Sequence, residues 1–364
     1  MFDLFRLPEP TARVPYSRVS TGTGTIFSQR KLTHDTYEII ISCDGEFSLV
    51  DAEAGQFVVL GFPGIDRPRP YSLAKNPRSS AAGKLTFFIR VVPNGEVSTW
   101  LSEANRTGSK IKITGPLGSF TLDDTKDPMV CIAGGSGMSA IMALVEYATD
   151  LQVDRDCYFY YGARSQADLY CRKEIERAQE LWNKNRELFF VPVLSEEPIT
   201  SKWQGARGLV TDVFLKEISR ESKVDLKTVS SFLCGPPPMI KAAVAMLKRA
   251  GTPPEKIFED KFEDARSPAP IIDNHRCVLC DECLLVTPVE GCIVETAGLN
   301  LRNSDKVRSY RTVEPSHTSG LYYNSLYIDE SNCIRCFACV NVCPHGAIST
   351  EHSLTGTLRQ KAYE

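Results

Sequence analysis

The last part of the chain carries eight of its 13 cysteines: Cys277, Cys280, Cys283, Cys292, Cys333, Cys336, Cys339 and Cys343. The run Cys333-x2-Cys336-x2-Cys339-x3-Cys343-Pro344 sets soft thiolates close enough for the chain to wrap a cubic iron-sulfur cluster. A zinc site needs only four ligands and would leave Cys277, Cys280 and Cys283 unexplained. The other five, Cys43, Cys131, Cys157, Cys171 and Cys234, are scattered. Tight spacing in a chain whose first residues lack a long apolar stretch favours metal ligation over disulfides, and with it a reducing, cytoplasmic setting.

This run is similar to that of bacterial dicluster ferredoxins, where the fourth cysteine ligates the other cluster. The resemblance implies one cluster on Cys277, Cys280, Cys283 and Cys343, and a second on Cys333, Cys336 and Cys339. It places the last ligand of the second cluster at 287, where the chain has Thr287 followed by Pro288. Either Cys292 is the displaced ligand, giving two [4Fe-4S] clusters, or the second site is a three-thiolate [3Fe-4S] cluster. We expect the former, because a hydroxyl is a poor substitute for a charged soft ligand.

Upstream, Arg69-Pro70-Tyr71-Ser72 offers a guanidinium that can grip a phosphate, a ring that can cover an isoalloxazine, and a hydroxyl for its edge. Alone, the four residues read equally as a strand end and a turn. Together with Gly95-Glu96-Val97-Ser98-Thr99-Trp100-Leu101 and Gly115-Pro116-Leu117-Gly118-Ser119-Phe120, they resemble the flavin barrel of the ferredoxin-NADP reductase superfamily. That resemblance implies FAD, with FMN the alternative some relatives use, held by Arg69, Tyr71, Ser72, Gly95, Val97 and Ser98.

Gly134-Gly135-Ser136-Gly137 falls between an expected strand and helix, where bare backbone can approach a pyrophosphate at a helix N-terminus. Cys234-Gly235-Pro236-Pro237-Pro238-Met239 again follows a strand and opens a helix. Cys234 alone would read as a packed strand thiol. The same superfamily resemblance implies that Gly134, Gly135 and Gly137 hold the nicotinamide cofactor and that Cys234 and Gly235 lie beside the reactive flavin edge, with Cys234 and Ser72 the catalytic pair. In Tyr161-Gly162-Ala163-Arg164-Ser165-Gln166-Ala167-Asp168, Arg164 can pair with a 2'-phosphate, and Asp168 reads as a helix cap or a ribose ligand. NADH is expected over NADPH.

The elements around these motifs fall into three regions and an extension. Residues 1–19 form the extension. Residues 20–124 hold short β-rich segments at 37–42, 55–60, 84–92 and 110–114, separated by Asp-Gly, Pro-Gly and Pro-Asn-Gly turns, the pattern of an antiparallel β-barrel, which the superfamily resemblance implies is flavin-binding. Residues 125–265 alternate strands with helices, including a charged helix expected over 168–182, and imply an α/β domain with a parallel sheet, which the superfamily resemblance implies is nicotinamide-binding. A Pro-bearing linker at 263–274 opens an α+β dicluster ferredoxin domain over 266–364, with an insertion at 293–332 containing Tyr310, Tyr322, Tyr323 and Tyr327.

Lys and Arg number 42 against 45 Asp and Glu, which offers no continuous positive field for nucleic acid. The longest uncharged stretch, 129–145, is 17 residues broken by three glycines, too short and interrupted for a membrane span. The combined reading is a reductase that takes hydride from a nicotinamide cofactor and passes single electrons through its clusters to a partner, a terminal oxygenase or another redox protein. The rival reading is an electron-transfer subunit of a stable anaerobic complex.

Overall fold

The computed structural model describes residues 19–49, 51–78, 83–221, 224–261, 268–296 and 325–350. They fall into two compact units, with the described residues of the first running from 19 to 261 and those of the second from 268 to 350.

The first unit begins with strands β1 (Ser20–Lys31), β2 (Thr36–Cys43), β3 (Phe57–Gly61), β4 (Arg69–Ser72) and β5 (Lys84–Arg90), then helix α1 (Glu96–Glu103) and strand β6 (Lys110–Leu117). They form one antiparallel sheet in the order β4-β3-β6-β1-β2-β5. Just past β4, the Ala74 N–H donates to Thr86 O on β5 at 2.8 Å, so the sheet curls nearly into a barrel. Side chains two apart share a face, and Ile39 and Ile41 of β2 point inward with Ile26, Phe87, Ile89, Ile111 and Ile113. Strand β1 has little apolar signature because glycines stand where neighbours pack across it. A Cβ on Gly22 would lie 2.2 Å from the Phe47 ring, and one on Gly24 would lie 2.6 Å from Ile41.

Next come β7 (Met129–Gly134), α2 (Met138–Asp150), β8 (Cys157–Ala163), α3 (Arg172–Leu181), β9 (Leu188–Leu194), β10 (Ala206–Arg207), α4 (Val210–Glu221), β11 (Ser230–Cys234), α5 (Pro237–Arg249) and β12 (Ile257–Asp260). Their strands make a parallel sheet in the order β10-β9-β8-β7-β11-β12. Along β7, Met129, Cys131 and Ala133 face α2 and α3, while Val130 and Ile132 face α4 and α5. Burial on both faces explains the uninterrupted apolar run. Strand order reverses at β7, between β8 and β11, which opens a crevice at their carboxyl ends.

The helix expected over 168–182 is split. Residues Gln166–Asp168 form one 3-10 turn closed by a reciprocal Ser165–Asp168 cap, and Cys171 turns left-handed (φ +58°) before α3 begins. The break lets Tyr170 point inward and donate its hydroxyl to Gly135 O at 2.9 Å.

Barrel and parallel sheet share a core. Phe88 meets Tyr170 edge-on at 5.4 Å between ring centroids, and Phe120 meets Phe232 at 6.0 Å. The connection between them is pinned by Arg155, which is 2% exposed and donates to Asp123 Oδ1 at 2.7 Å and Thr125 Oγ1 at 3.1 Å.

The second unit holds β13 (Ile271–Ile272), α6 (Glu282–Leu285), β14 (Ile293–Thr296), β15 (Ser325–Ile328), α7 (Ala338–Val342) and β16 (Ile348–Ser349). β13 pairs with β16 and β14 with β15, each antiparallel. Leu279, Asp281, Arg335 and Phe337 take positive φ, which folds the short segments between cysteines into tight loops. Of the tyrosines in the expected insertion, Tyr327 lies on β15; Tyr310, Tyr322 and Tyr323 lie outside the described residues, as does the 262–267 part of the linker. Among the described residues, no helix is long and apolar enough to cross a membrane.

Candidate functional site

The cysteine loops of the second unit surround two separate cavities. One is lined by Cys277, Cys280, Cys283 and Cys343, the other by Cys292, Cys333, Cys336 and Cys339. The topology therefore sorts eight thiols into two sets of four, with Cys343 crossing to the first. Burial pushes the Cys283 and Cys336 thiols up to about 11, and Cys339 higher still. A hydrogen bond between Cys292 and Cys333 raises the former and lowers the latter, as a shared proton does. Four thiolates would repel one another in such a pocket unless a multiply charged soft cation held them, so the donor set fits iron-sulfur clusters. Thr287 borders the second cavity, but its hydroxyl donates to Cys283 O at 2.6 Å and is spent on the backbone of α6.

In the first unit, β4 carries Arg69, Tyr71 and Ser72. The Arg69 guanidinium meets Glu96 Oε2 at 3.0 Å, at the first turn of α1, and this brings it to Gly95, Val97 and Ser98. Among the described residues, no side chain caps the α1 N-terminus. Gly95 is required by the tight turn before it, since a Cβ there would lie 2.7 Å from Val92 Cγ2. The Val92 N–H donates to Ser98 Oγ at 2.8 Å, which leaves the Ser98 proton available to an acceptor. A cation, unspent helix N–H groups and a hydroxyl fit a pyrophosphate.

Ser72 is the last residue of β4, at the opposite end from Arg69. Its hydroxyl donates to Asp260 Oδ2 at 2.8 Å, and the Cys234 thiol approaches the same oxygen at 3.7 Å. Asp260 ends β12, directly beside Cys234 on β11. Burial pushes its carboxyl up to about 7 against the opposing hydrogen bonds from Ser72 and Cys234, and burial also raises the Cys234 thiol. Sequence reasoning missed Asp260, because an acidic residue at the end of an edge strand reads as solvated. Only the β11–β12 pairing turns it inward.

A cleft of about 220 Å3 opens at the carboxyl ends of the parallel strands, lined by Gly134, Gly135, Arg164, Asp168 and Pro236 among others. Gly137 must be glycine for the turn to seat, since a Cβ there would lie 2.1 Å from Cys234 O. Gly135 has φ +54°, and a Cβ there would meet only Arg90 Nη1 at 3.8 Å, so the bare turn faces space beneath a guanidinium. Such a cradle fits the phosphates of a dinucleotide. Gly235, with φ +156°, packs against Gly134 and Met239. Arg164 Nη2 donates to Asp168 Oδ1 at 2.8 Å and to Asp35 Oδ2 at 2.9 Å, while Asp168 Oδ2 receives Ser165 N and Oγ, each at 3.0 Å. Asp168 is thus the cap of its turn and a lining residue at once. Arg90 and Asp35, both from the barrel, also line the cleft and carried no sequence signal.

Residues 23–122 match the model of the oxidoreductase FAD-binding domain, residues 131–245 that of the oxidoreductase NAD-binding domain, and residues 326–348 that of the 4Fe-4S binding domain. Over 237 residues the chain is 37% identical to the xylene/toluene monooxygenase electron transfer component of Pseudomonas putida, covering 65% of this chain and 64% of that one. It is 32% identical over 248 residues to the aromatic O-demethylase reductase subunit of an Amycolatopsis species, covering 67% and 70%. The crystal structure of an Amycolatopsis cytochrome P450 reductase superposes with TM-score 0.61 at 31% identity, covering 69% of this chain and 72% of that one. Against the propane 2-monooxygenase reductase component of Mycolicibacterium goodii, 36% identical, the chain spans 61% of the relative's length.

Proposed function

Because this chain belongs to the family of FAD- and NAD(P)H-dependent oxidoreductases that includes the reductase components of oxygenase systems, and carries a 4Fe-4S-binding segment, we propose that it oxidises a reduced nicotinamide and delivers single electrons to an oxygenase or another redox protein. The observation that carries the reading is the buried convergence of Ser72, Cys234 and Asp260 where the barrel meets the crevice of the parallel sheet. When bound, FAD supplies the exchange between hydride and single electrons, and the clusters carry those electrons one at a time.

The protein groups bind, orient and hold protons. Arg69, with Gly95, Val97 and Ser98 at the start of α1, takes the flavin phosphates, and Tyr71 and Ser72 line its ring. The Gly134–Gly137 turn takes the nicotinamide phosphates, with Arg90 as their cation. Cys234 and Gly235 form the surface on which the nicotinamide is presented, and Asp260 orients the Ser72 hydroxyl. In this reading the flavin part occupies 20–124, the nicotinamide part 125–265 and the cluster part 266–364. Two [4Fe-4S] clusters are held by the two sets of four cysteines, with Cys292 as the displaced ligand. NADH is the preferred donor, because Arg164 already has two carboxylate partners.

Anaerobic stopped-flow mixing of holoprotein with NADH and with NADPH tests the proposal. Flavin bleaching followed by cluster reduction is expected, faster with NADH. Absence of flavin from the purified protein would overturn it. Turnover only inside a copurifying complex would favour an internal-wire subunit instead.

A further inference from the structure

The loop between β1 and β2 delivers one carboxylate into the nicotinamide cleft. Asp35 Oδ2 accepts from Arg90 Nε at 3.0 Å and from Arg164 Nη2 at 2.9 Å, while Oδ1 accepts from the hydroxyls of Thr33 and Thr36, each at 3.0 Å. Burial alone would raise this acid, but the hydrogen bonds from Arg90, Thr36 and Thr33 outweigh it and hold the carboxyl down to about 2. Asp35 is therefore a fixed anion, oriented by its own loop and bonded to one arginine from the barrel and one from the parallel sheet.

We propose that Asp35 is a specificity-determining residue for the nicotinamide donor, acting through Arg164. The inference rests on the nicotinamide reading of the cleft. Arg90 and Arg164 bring two positive charges to the cleft wall, and Asp35 and Asp168 bring two negative ones. Arg90 keeps a free face toward the Gly135 turn, where both NADH and NADPH carry a pyrophosphate. Arg164, in contrast, gives its Nη2 to both carboxylates, so a 2'-phosphate that pairs with this guanidinium must come up against two anions. A guanidinium with one carboxylate partner removed can turn its fork to a phosphate. An exposed His34 ring lies within 3.7 Å of both carboxylates. Although His34, Asp35 and Asp168 could group around a metal ion, the two guanidiniums already neutralise that cluster.

The test measures the apparent rate constant for flavin reduction per unit nucleotide concentration, with NADH and NADPH, in holoprotein of the wild type, D35N, R164Q and D35N/R164Q. In D35N the preference for NADH is expected to fall by about tenfold, equivalent to ~1.4 kcal/mol, mainly through better use of NADPH. In D35N/R164Q the gain with NADPH is expected to vanish. Equal losses with both nucleotides would mark Asp35 as a brace between barrel and sheet and overturn the inference, as would an NADPH gain that survives without Arg164. D35S serves the same purpose if D35N does not accumulate with flavin bound, and D35E should keep the wild-type preference. A wild type that NADH cannot reduce would instead overturn the nicotinamide reading itself, before any variant is compared.

Discussion

Ser72 and Asp260 lie 188 positions apart in sequence and are joined by a buried hydrogen bond of 2.8 Å from the serine hydroxyl to the aspartate carboxylate. It ties the last residue of a barrel strand to the last residue of the parallel sheet's edge strand. Above pH 7, where its raised carboxyl is ionised, Asp260 is a charged acceptor, and a hydrogen bond to such a group is worth about 1.5–3 kcal/mol, whereas Asn offers only a neutral one. NADH-driven flavin reduction in D260N is expected to slow roughly tenfold to a hundredfold. Stopped-flow absorbance checks it, and an unchanged rate would reduce the Ser72–Asp260 bond to packing.

The same carboxyl predicts a pH dependence of stability. Asp260 titrates near 7 in the folded protein, against about 3.9 in an unfolded chain. Between these values the folded state keeps a proton that the unfolded state has lost. This contribution to stability falls as pH rises through that window and is constant above it. Thermal unfolding of wild type and D260N from pH 5 to 8 is expected to show a steeper decline in the wild type. Parallel curves would contradict the assignment.

Cys234 approaches the same carboxylate with a fully buried thiol. Cys234→Ala removes one sulfur and leaves the β11 backbone intact. Hydride transfer from NADH should slow while cluster content, and electron flow from chemically reduced flavin, stay near wild type. Identical hydride-transfer kinetics would mark the thiol as a packed strand residue.

For the second cysteine cavity, Cys292→Ser is the decisive substitution. Iron and sulfide analysis with Mössbauer spectroscopy on anaerobic protein should find two four-iron clusters in the wild type. In the variant, the cluster on Cys333, Cys336 and Cys339 should be lost or reduced to three irons. A fully loaded wild type with one cubic and one three-iron cluster would overturn the fourth-ligand role of Cys292, as would an unaffected variant.

Stability of the first unit should depend on Asp123. It accepts from Arg155, whose guanidinium is buried and whose Nε has no hydrogen-bond partner among the described residues. Asp123→Ala leaves that cation uncompensated and is expected to cost about 3–5 kcal/mol. Arg155→Met, which removes the buried charge while keeping most of the side-chain volume, should cost less. Denaturant midpoints of the two variants compare them directly.

Much of this protein was legible from local signals. The cysteine spacing at 333–343, the Gly134–Gly137 turn and the Arg69–Ser72 run each act through neighbouring backbone, so residue type and spacing carry them. The apolar run of β7 announces a sheet buried on both faces for the same reason. Strand β1 and the break before α3 were not legible, because Gly22, Gly24 and Tyr170 answer to partners far along the chain. That Cys292 lines one cavity with Cys333, Cys336 and Cys339, and that Asp260, Arg90 and Asp35 belong to the candidate site at all, was decided by tertiary structure. An isolated carboxylate or guanidinium looks solvated in sequence. Burial and charge partners give it a chemical role, and both arise only when strands distant in the chain are laid side by side.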